Sequence, residues 1–560
     1  MAVRRYFGPE TGCFVAIWLL LLAAGRSRLL RDPGTFWHTV AGQDVLAGEL
    51  PRVDRFSFTF QGQPWIASNW LSEAIVAALQ GALGWDGPLL ATVTLLAALY
   101  AWLFGRLLRG GLAIVPSALL VGLALAAAAH HFHVRPHLAT LVGMPLTAAL
   151  LCDFESGRAG VRRLWLLVPL FALWTNLHGG VLAAAAMVGL TAGGWTLWRL
   201  AGWPSPLVGR RSIGIACLLA ACGLALLVNP YGLEMPRTWL RIMALDLPDL
   251  IEEHAPLHSA SPEGRTTLML AAVYLVSLCS LRERPRVTWL LPLLWLYLGM
   301  GRVRHAPLFA LTATVALAEV LPRTRFADWL ARRGWLSSRV RQNAGQATST
   351  QARPNSGEFG YGAGVIWRPA LVPVLLVAGA IALQAAGVPA PLVGRGWARL
   401  DPRRWPLELL PELDRQCELE VLRKGRQGRA SPGQGDVNSA RLTQPWHPGK
   451  SGDSGHARLF NSLGLGGFVA FHAPRWQTFI DDRCELFGGD FLREYARAER
   501  DCPELIDRWS AEYDFRVALV KAGSAFDRYL ADSLDWTCAG RAEAAALYRR
   551  NEAFARLSPP

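Results

Sequence analysis

Residues 87–152 read GPLLATVTLLAALYAWLFGRLLRGGLAIVPSALLVGLALAAAAHHFHVRPHLATLVGMPLTAALLC. Three apolar segments, 87–108, 112–129 and 137–152, follow one another with only short connections. A helix needs roughly 20 apolar residues to cross the hydrocarbon core of a bilayer. This stretch therefore predicts three consecutive membrane-spanning helices and makes the chain a multi-pass α-helical membrane protein.

Eight more apolar segments bring the predicted total to about eleven membrane helices. They lie at 11–30, 163–176, 179–200, 212–228, 267–281, 287–300, 305–321 and 369–387. The first also looks like a signal peptide, because Arg4 and Arg5 precede a short apolar core. No persuasive small-residue cleavage site precedes a soluble domain, so we predict a membrane helix here.

Arginine residues cluster in alternate loops and so predict the orientation of the chain. With the N-terminus inside, the cytoplasmic loops would carry the Arg-rich segments 106–109, 158–163, 199–211, 282–286 and 323–341. This pattern satisfies the positive-inside rule. We therefore predict a bacterial inner-membrane protein whose N-terminus is cytoplasmic and whose C-terminal part is extracytoplasmic.

Composition excludes several other classes of protein. Only 18% of the 560 residues are charged and 52% are hydrophobic, whereas soluble domains carry about 25% charged residues. The net charge of +14 comes mainly from Arg scattered over short loops, which argues against nucleic acid as a partner and for an anionic membrane surface. The nine Cys residues include no CxxC pair. Those at 417, 484, 502 and 538 would permit a disulfide if the tail is exported.

The chain divides into five predicted parts. Residues 1–330 form the membrane domain with a long outer loop at 31–87, 331–366 a cytoplasmic disordered linker, 367–388 the last membrane helix, and 389–457 an extracytoplasmic linker region. Residues 458–560 have a globular composition. In this small α/β domain we predict strands at 467–471, 477–481, 515–520 and 544–548, and helices at 488–499, 503–512 and 524–532.

Chemically interesting side chains gather on the predicted outer side. The first outer loop contains DPGTFWH (32–38), GELPRVDRFSFTFQGQPW (48–65) and NWLSEAIVAAL (69–79), the last being typical of an amphipathic helix on the membrane surface. Later outer loops contain HHFHVRPH, TNLHGG, NPYG, IEEH and GRVRH. Ionisable groups near a bilayer cost free energy, so their accumulation on one side indicates function. A carboxylate can act as a base on a hydroxyl, Arg and His can neutralise a phosphate, and Trp can stack on a sugar.

These motifs, together with FNSLGLGGFVAF (460–471) and FIDDR (479–483), resemble the GT-C superfamily of polyprenyl-phosphate-sugar-dependent glycosyltransferases, and more narrowly a group of bacterial GT-C-like membrane proteins. The superfamily includes protein O-mannosyltransferases and enzymes that modify lipid A or the lipopolysaccharide core. The resemblance covers most of the chain except the two linkers. It implies a many-helix membrane fold and transfer of a sugar from a lipid-phosphate donor to a hydroxyl.

The resemblance also implies a catalytic carboxylate at the start of the first outer loop. Asp32 occupies this position and would activate the acceptor hydroxyl. The wider pattern often has a second acidic residue close by, and this sequence has Gly34 there instead. Asp54 would supply the second carboxylate if the loop folds back. A divalent metal is therefore left open, and the four His residues at 130–137 have no standard zinc spacing.

The remaining candidate residues divide into two groups. A lipid phosphate would be held by Arg135, Arg302, Arg304 and His305, although the Arg residues could equally extend to the headgroups. Sugar or acceptor would contact Trp37, His38, Asn176, His178, Glu252 and Glu253, although helix packing and turns explain several of these equally well.

We therefore expect a membrane glycosyltransferase that works outside the cytoplasm and inverts the anomeric centre in one displacement. Its partners would be the bilayer, a polyprenyl-phosphate-linked sugar and a glycan, lipid or protein acceptor. A transporter or flippase for a lipid-linked solute is one alternative. The other is a non-catalytic assembly protein with the same fold, which Gly34 keeps open.

Overall fold

The computed structural model describes residues 8–245, 254–336, 371–389, 395–429 and 456–551. Residues 337–366 of the predicted cytoplasmic linker and residues 430–455 of the predicted extracytoplasmic linker lie outside these ranges. The described residues of the membrane part are mainly helical. Its helices are α1 Pro9–Gly25, α2 Gly34–Leu46, α3 Trp70–Leu83, α4 Asp86–Arg109, α5 Ile114–Ala128, α6 Leu138–Glu155, α7 Val161–Leu164, α8 Leu167–Leu177, α9 Val181–Leu200, α10 Arg210–Ala225, α11 Glu234–Ala244, α12 Pro262–Cys279, α13 Leu291–Gly301, α14 Ala306–Val320, α15 Ala327–Arg332 and α16 Leu371–Ala385.

Each predicted span contains a helix, but the count of eleven spans is not confirmed. Among the described residues, five helical stretches are long and apolar enough to cross a membrane by length and composition. They are Asp86–Arg109, Ile114–His131, Leu138–Glu155, Val181–Leu200 and Val303–Arg323. The last is the central helix of the bundle, because every residue of α14 is buried.

A buried ion-pair network ties together the Arg-rich ends of these helices. Glu319 near the end of α14 pairs with Arg106 of α4 at 3.3 Å, with Arg286 at 3.1 Å and with Arg158. Asp153 of α6 accepts from Arg106 at 2.9 Å. Every buried carboxylate in this network has a guanidinium partner, which is the condition under which burying charge is tolerated.

The C-terminal part is a small α/β domain with one mixed sheet. Its strands are β1 Ala457–Asn461, β2 Trp476–Thr478, β3 Val517–Lys521, β4 Trp536–Arg541 and β5 Ala545–Arg550, in the order β2-β1-β3-β5-β4. Strand β1 is parallel to β2 and β3, whereas β5 is antiparallel to β3 and β4. Its helices are α17 Leu410–Arg429, α18 Gly466–His472, α19 Cys484–Arg500, α20 Leu505–Tyr513 and α21 Ala525–Asp532.

Several sequence predictions for this part need correction. Residues 467–471, predicted as a strand, form the buried helix α18, because a short apolar run does not distinguish the two structures. Strands β1 and β4 were not predicted, and α17 lies inside the predicted linker region. None of the nine Cys residues forms a disulfide.

The first outer loop joins the sheet of the C-terminal domain. The Phe58 amide donates to the Thr478 carbonyl at 3.0 Å, and the Thr478 amide donates to the Phe56 carbonyl at 2.9 Å. The loop thus pairs with β2 at the edge of the sheet and covers backbone groups that would otherwise be unpaired.

Arg483 anchors the same interface. Its side chain is fully buried, pairs with Asp54 of the outer loop at 2.7 Å and with Asp481 at 2.6 Å, and lies over the rings of Phe56 and Trp65. Residues 481–483 therefore form an ion pair in the interior of the protein.

A segment that follows α16 in the chain forms a second attachment. The Asp86 carboxylate at the start of α4 accepts the amides of Trp397 and Ala398 at 2.8 and 2.5 Å. The Trp405 indole donates to the Leu30 carbonyl at 2.9 Å. The C-terminal domain is thus fixed against the beginning of the membrane domain at two places.

Candidate active site

A cavity of about 630 Å³ lies between the membrane domain and the C-terminal domain. It is at the opposite end of the helices from the Glu319 network, since α6 and α14 begin beside it and end in that network. On the other side the carboxyl edge of the parallel strands forms its wall. Open α/β sheets bind ligands at this edge, outside the carboxyl ends of their parallel strands.

Asp32 is held at the cavity in the turn between α1 and α2. Its Oδ1 accepts the Gly34 amide at 2.8 Å, and its main-chain carbonyl accepts the Thr35 amide at 3.2 Å. These bonds fix the carboxylate just before the first turn of α2, where a negative charge is also favoured by the helix dipole. The other oxygen, Oδ2, is left for the partner described next.

Arg135 is that partner and comes from the loop between α5 and α6. Its Nη1 donates to Asp32 Oδ2 at 3.0 Å. The Thr35 hydroxyl donates to the Val134 carbonyl at 2.9 Å, which attaches the Arg135 loop to the start of α2. The structure therefore brings together two residues that the sequence analysis singled out.

A second carboxylate, Asp482, reaches the same guanidinium from the C-terminal domain. Its Oδ2 lies 3.5 Å from Arg135 Nη2, and its Oδ1 accepts the Trp37 indole N–H at 2.7 Å. Burial raises the pKa of Asp482 to about 7; Arg135 opposes this rise, and the charge of Asp32 adds to it. Asp482 is not among the site residues predicted from the sequence, although it directly follows the strand predicted at 477–481.

Close backbone contact sets the position of Asp482 relative to Asp32. A Cβ on Gly467 of α18 would lie 2.2 Å from the Pro33 carbonyl, and one on Gly466 would lie 2.3 Å from the Ile480 carbonyl. Both glycines are therefore required for α18 to pack between the two acidic segments.

The next residues of α2 extend the wall of the cavity. The rings of Trp37 and His38 are in contact, with centroids 3.6 Å apart. His38 Nδ1 shares a hydrogen bond of 2.8 Å with Glu73 Oε1 of α3. Burial raises the pKa of Glu73 and lowers the pKa of His38, which favours an uncharged pair. His38 is thereby held in the wall of the cavity.

Later parts of the chain also contribute predicted binding residues to the cavity. His178 lines the cavity, and its Nδ1 accepts the Gly180 amide at 3.0 Å. Arg304 and His305 do so as well, and Arg304 Nη1 lies 2.9 Å from His254 Nε2. No three His, Cys, Asp or Glu side chains within the described residues converge as a metal site would require.

Other predicted site residues lie elsewhere. Asp54 is 1% exposed and is held by Arg483, the Ser57 hydroxyl and two backbone amides, so it does not line the cavity. Asn176 uses its amide to join Trp70 of α3 to the Ala172 and Val228 carbonyls. Arg302 is outside the residues lining the cavity, and Glu252 and Glu253 lie outside the described residues.

An apolar groove of about 320 Å³ adjoins the cavity. Helices α3, α4, α6 and α8 form its walls, mainly with Leu, Val, Ala and Ile side chains. Arg135 and Pro136 line both the groove and the polar cavity. A single guanidinium therefore lies where an apolar channel meets a polar one.

Comparison with solved structures shows what fold this is. The chain is similar to an oligosaccharyltransferase from Archaeoglobus fulgidus in its apo form, at a TM-score of 0.50 and 10% identity over 91% of this chain and 69% of that one. The AglB oligosaccharyltransferase of the same organism, in complex with an inhibitory peptide and a dolichol-phosphate, gives 0.50 and 11% over the same shares. ArnT from Cupriavidus metallidurans bound to undecaprenyl phosphate gives 0.48 and 13%, with 98% of both chains covered.

The expected resemblance to the GT-C fold is thus confirmed. At these identities the similarity concerns the fold alone. No protein-family model and no curated protein matches the sequence.

Proposed function

We propose that this protein is a membrane glycosyltransferase that moves a sugar from a polyprenyl-phosphate donor to a hydroxyl acceptor outside the cytoplasm. The observation that carries the proposal is the Asp32–Arg135 pair, which lies where the apolar groove opens into the polar cavity. A lipid-linked sugar has the same division into an apolar chain, an anionic phosphate and a polar head.

The donor would bind with its chain in the groove and its phosphate at Arg135. A guanidinium presents several N–H donors in a plane and suits phosphate oxygens. Arg304 and His305, which line the cavity, would add positive charge and donors toward the leaving group. The A. fulgidus enzyme with a similar fold was solved with a dolichol-phosphate, which is a ligand of this class.

The sugar and acceptor would occupy the polar cavity. The indole of Trp37 and the imidazoles of His38 and His178 line it, and they combine flat apolar faces with hydrogen-bonding edges. The cavity volume of about 630 Å³ lies in the range usual for small-molecule sites, about 300–1,000 Å³.

Transfer would proceed by one displacement. The acceptor oxygen forms a bond to the anomeric carbon while the bond from that carbon to the phosphate oxygen breaks, and the electron pair leaves with the lipid phosphate. Asp32 takes the hydroxyl proton. Arg135 stabilises the charge that develops on the phosphate. Attack opposite to the leaving group inverts the anomeric centre.

The Arg-rich ends of the helices support an outer location of the site. The cavity lies at the other end of α6 and α14 from the loops that carry Arg158 and Arg323. If the positive-inside rule applies, the site faces away from the cytoplasm.

The test uses the purified full-length protein in lipid nanodiscs with a panel of polyprenyl-phosphate sugars and a membrane extract as acceptor source. Wild-type protein should release free polyprenyl phosphate only when acceptor is present. Asp32→Asn should abolish release while Asp490→Asn, on a fully exposed side chain, should leave it unchanged. Full activity of Asp32→Asn would exclude Asp32 as the base, and no release from any donor would contradict the proposed function.

A further inference from the structure

We propose that Asp482 is a second catalytic carboxylate, which the C-terminal domain inserts into space that Gly34 leaves open. This inference rests on the proposed transfer reaction. It makes the C-terminal domain part of the catalytic site rather than an appended module.

The geometry around Gly34 is the first argument. A Cβ at this position would lie 2.9 Å from Asp32 Oδ1, 2.9 Å from Asp482 Oδ2 and 3.0 Å from Arg135 Nε. The two carboxylate oxygens therefore flank one point in space, and Arg135 closes the third side. A side chain at position 34 would displace the end of at least one of these three side chains.

Gly34 is not required by the backbone at this position. It is the first residue of α2, and its φ is not among the positive values that favour glycine. Because any residue could adopt this backbone conformation, the glycine is explained by the space that the Asp482 side chain occupies. The lack of a side chain at Gly34 thus allows the Asp482 carboxylate to lie beside Asp32.

Asp482 is also held more firmly than a surface carboxylate. The Trp37 indole fixes Oδ1 at 2.7 Å, and the adjacent Arg483 is locked into its buried ion pairs. The remaining oxygen faces Arg135 and the cavity, and only 17% of the side chain is exposed. A carboxylate without a function would not need this degree of positioning.

One guanidinium faces two carboxylates, so the cluster retains one negative charge when both are ionised. Burial raises the pKa of Asp482 to about 7, so this carboxyl can take up a proton near neutral pH. In the reaction, Asp32 takes the proton of the acceptor hydroxyl and passes it to Asp482, which releases it to water in the cavity. Asp32 then remains ionised and paired with Arg135.

The experiment moves the carboxylate from one position to the other. We would compare Asp482→Ala, Gly34→Asp and the double variant Gly34→Asp/Asp482→Ala with wild-type protein in the release assay. Removing a general acid–base group costs about 10²–10⁴-fold, so Asp482→Ala should lower kcat at least 100-fold. Gly34→Asp alone should also be inactive, because its side chain would meet Asp482. The double variant should regain at least tenfold over Asp482→Ala.

Measurements of binding and of pH dependence distinguish a catalytic role of Asp482 from a structural one. The affinity for polyprenyl phosphate should be unchanged in Asp482→Asn, because this substitution keeps the shape of the side chain. In wild-type protein kcat/KM should rise with pH through about 7, and the midpoint should shift in the double variant, whose carboxylate has different neighbours.

The outcomes are distinct from those that test the proposed function. If Asp482→Asn retains activity within about threefold while Asp32→Asn is inactive, the proposed function stands and Asp482 is not catalytic. If the double variant is no better than Asp482→Ala although both bind the lipid phosphate normally, Asp482 acts only on structure. If wild-type protein releases no polyprenyl phosphate, the proposed function itself is contradicted.

Discussion

Replacing Arg483 with Met should release the C-terminal domain from the first outer loop. The guanidinium is fully buried between Asp54 and Asp481 and lies over Phe56 and Trp65. Met has a similar length but no charge, so both carboxylates would lose their cationic partner in the protein interior.

The structure indicates how large this effect should be. Removing one partner of a buried charge pair costs about 3–5 kcal/mol, which is roughly two to three and a half orders of magnitude in the docking equilibrium. Asp54 keeps donors from Ser57 and two amides, and Asp481 keeps the backbone amide of residue 483. We therefore expect the lower part of this range.

Hydrogen exchange of the purified protein measures the effect directly. The amides of Phe58 and Thr478, which pair across the interface, should exchange at least 100-fold faster in Arg483→Met. Adding Asp54→Asn and Asp481→Asn removes the unpaired charges and should restore a large part of the protection. Arg493→Met, at a half-exposed pair with Asp490, is the matched control. Exchange within about threefold of wild type in Arg483→Met would contradict this role of Arg483.

Three further predictions concern the cavity and the groove. Because the pKa of Asp482 is raised from 3.8 to about 7, this residue contributes stability below pH 4 that is lost as the pH rises through about 7, by at most about 4 kcal/mol. The thermal midpoint of Asp482→Asn relative to that of wild type should therefore increase between pH 5 and pH 8. A difference in thermal midpoint that stays constant over this pH range would contradict the prediction. Arg135→Lys keeps the charge but not the planar set of donors, so kcat for transfer should fall at least tenfold. An unchanged kcat would exclude the proposed role of Arg135 in stabilising the lipid phosphate. Ala91→Trp narrows the apolar groove and should raise KM at least tenfold for long-chain donors but not for short-chain ones, whereas equal effects on both would place the lipid elsewhere.

The helical architecture was accessible from sequence because long apolar segments have few alternative structures. Each predicted span contains a helix, and α3 occupies the predicted surface helix at 69–79. Short apolar runs predicted the secondary structure less well than the long segments did. Residues 467–471 have the composition of a strand, yet α18 forms because Gly466 and Gly467 allow it to pack against the start of α2 and the end of β2.

The site was only partly predictable. Asp32 was recognised from the resemblance to the GT-C superfamily and Arg135 from its position at the outer end of a predicted span, and the two residues do pair. Asp482 is 445 residues from Trp37, its hydrogen-bond partner, and no local pattern encodes that contact. Asp54 was the expected second carboxylate, but sequence cannot show that Arg483 binds it in the interior. The rule that ligands lie beyond the carboxyl ends of parallel strands was the available signal for Asp482.

The most direct test of the account follows the two ends of one donor molecule. A polyprenyl-phosphate sugar labelled separately on the sugar and on the phosphate is supplied to the protein in sealed proteoliposomes together with acceptor. Glycosyl transfer predicts that the labels separate, with the sugar on the acceptor in inverted configuration and the phosphate on the lipid, and that Asp32→Asn prevents this. Both labels crossing the membrane together on intact donor would indicate a transporter instead, and donor that neither moves nor reacts would contradict the catalytic account.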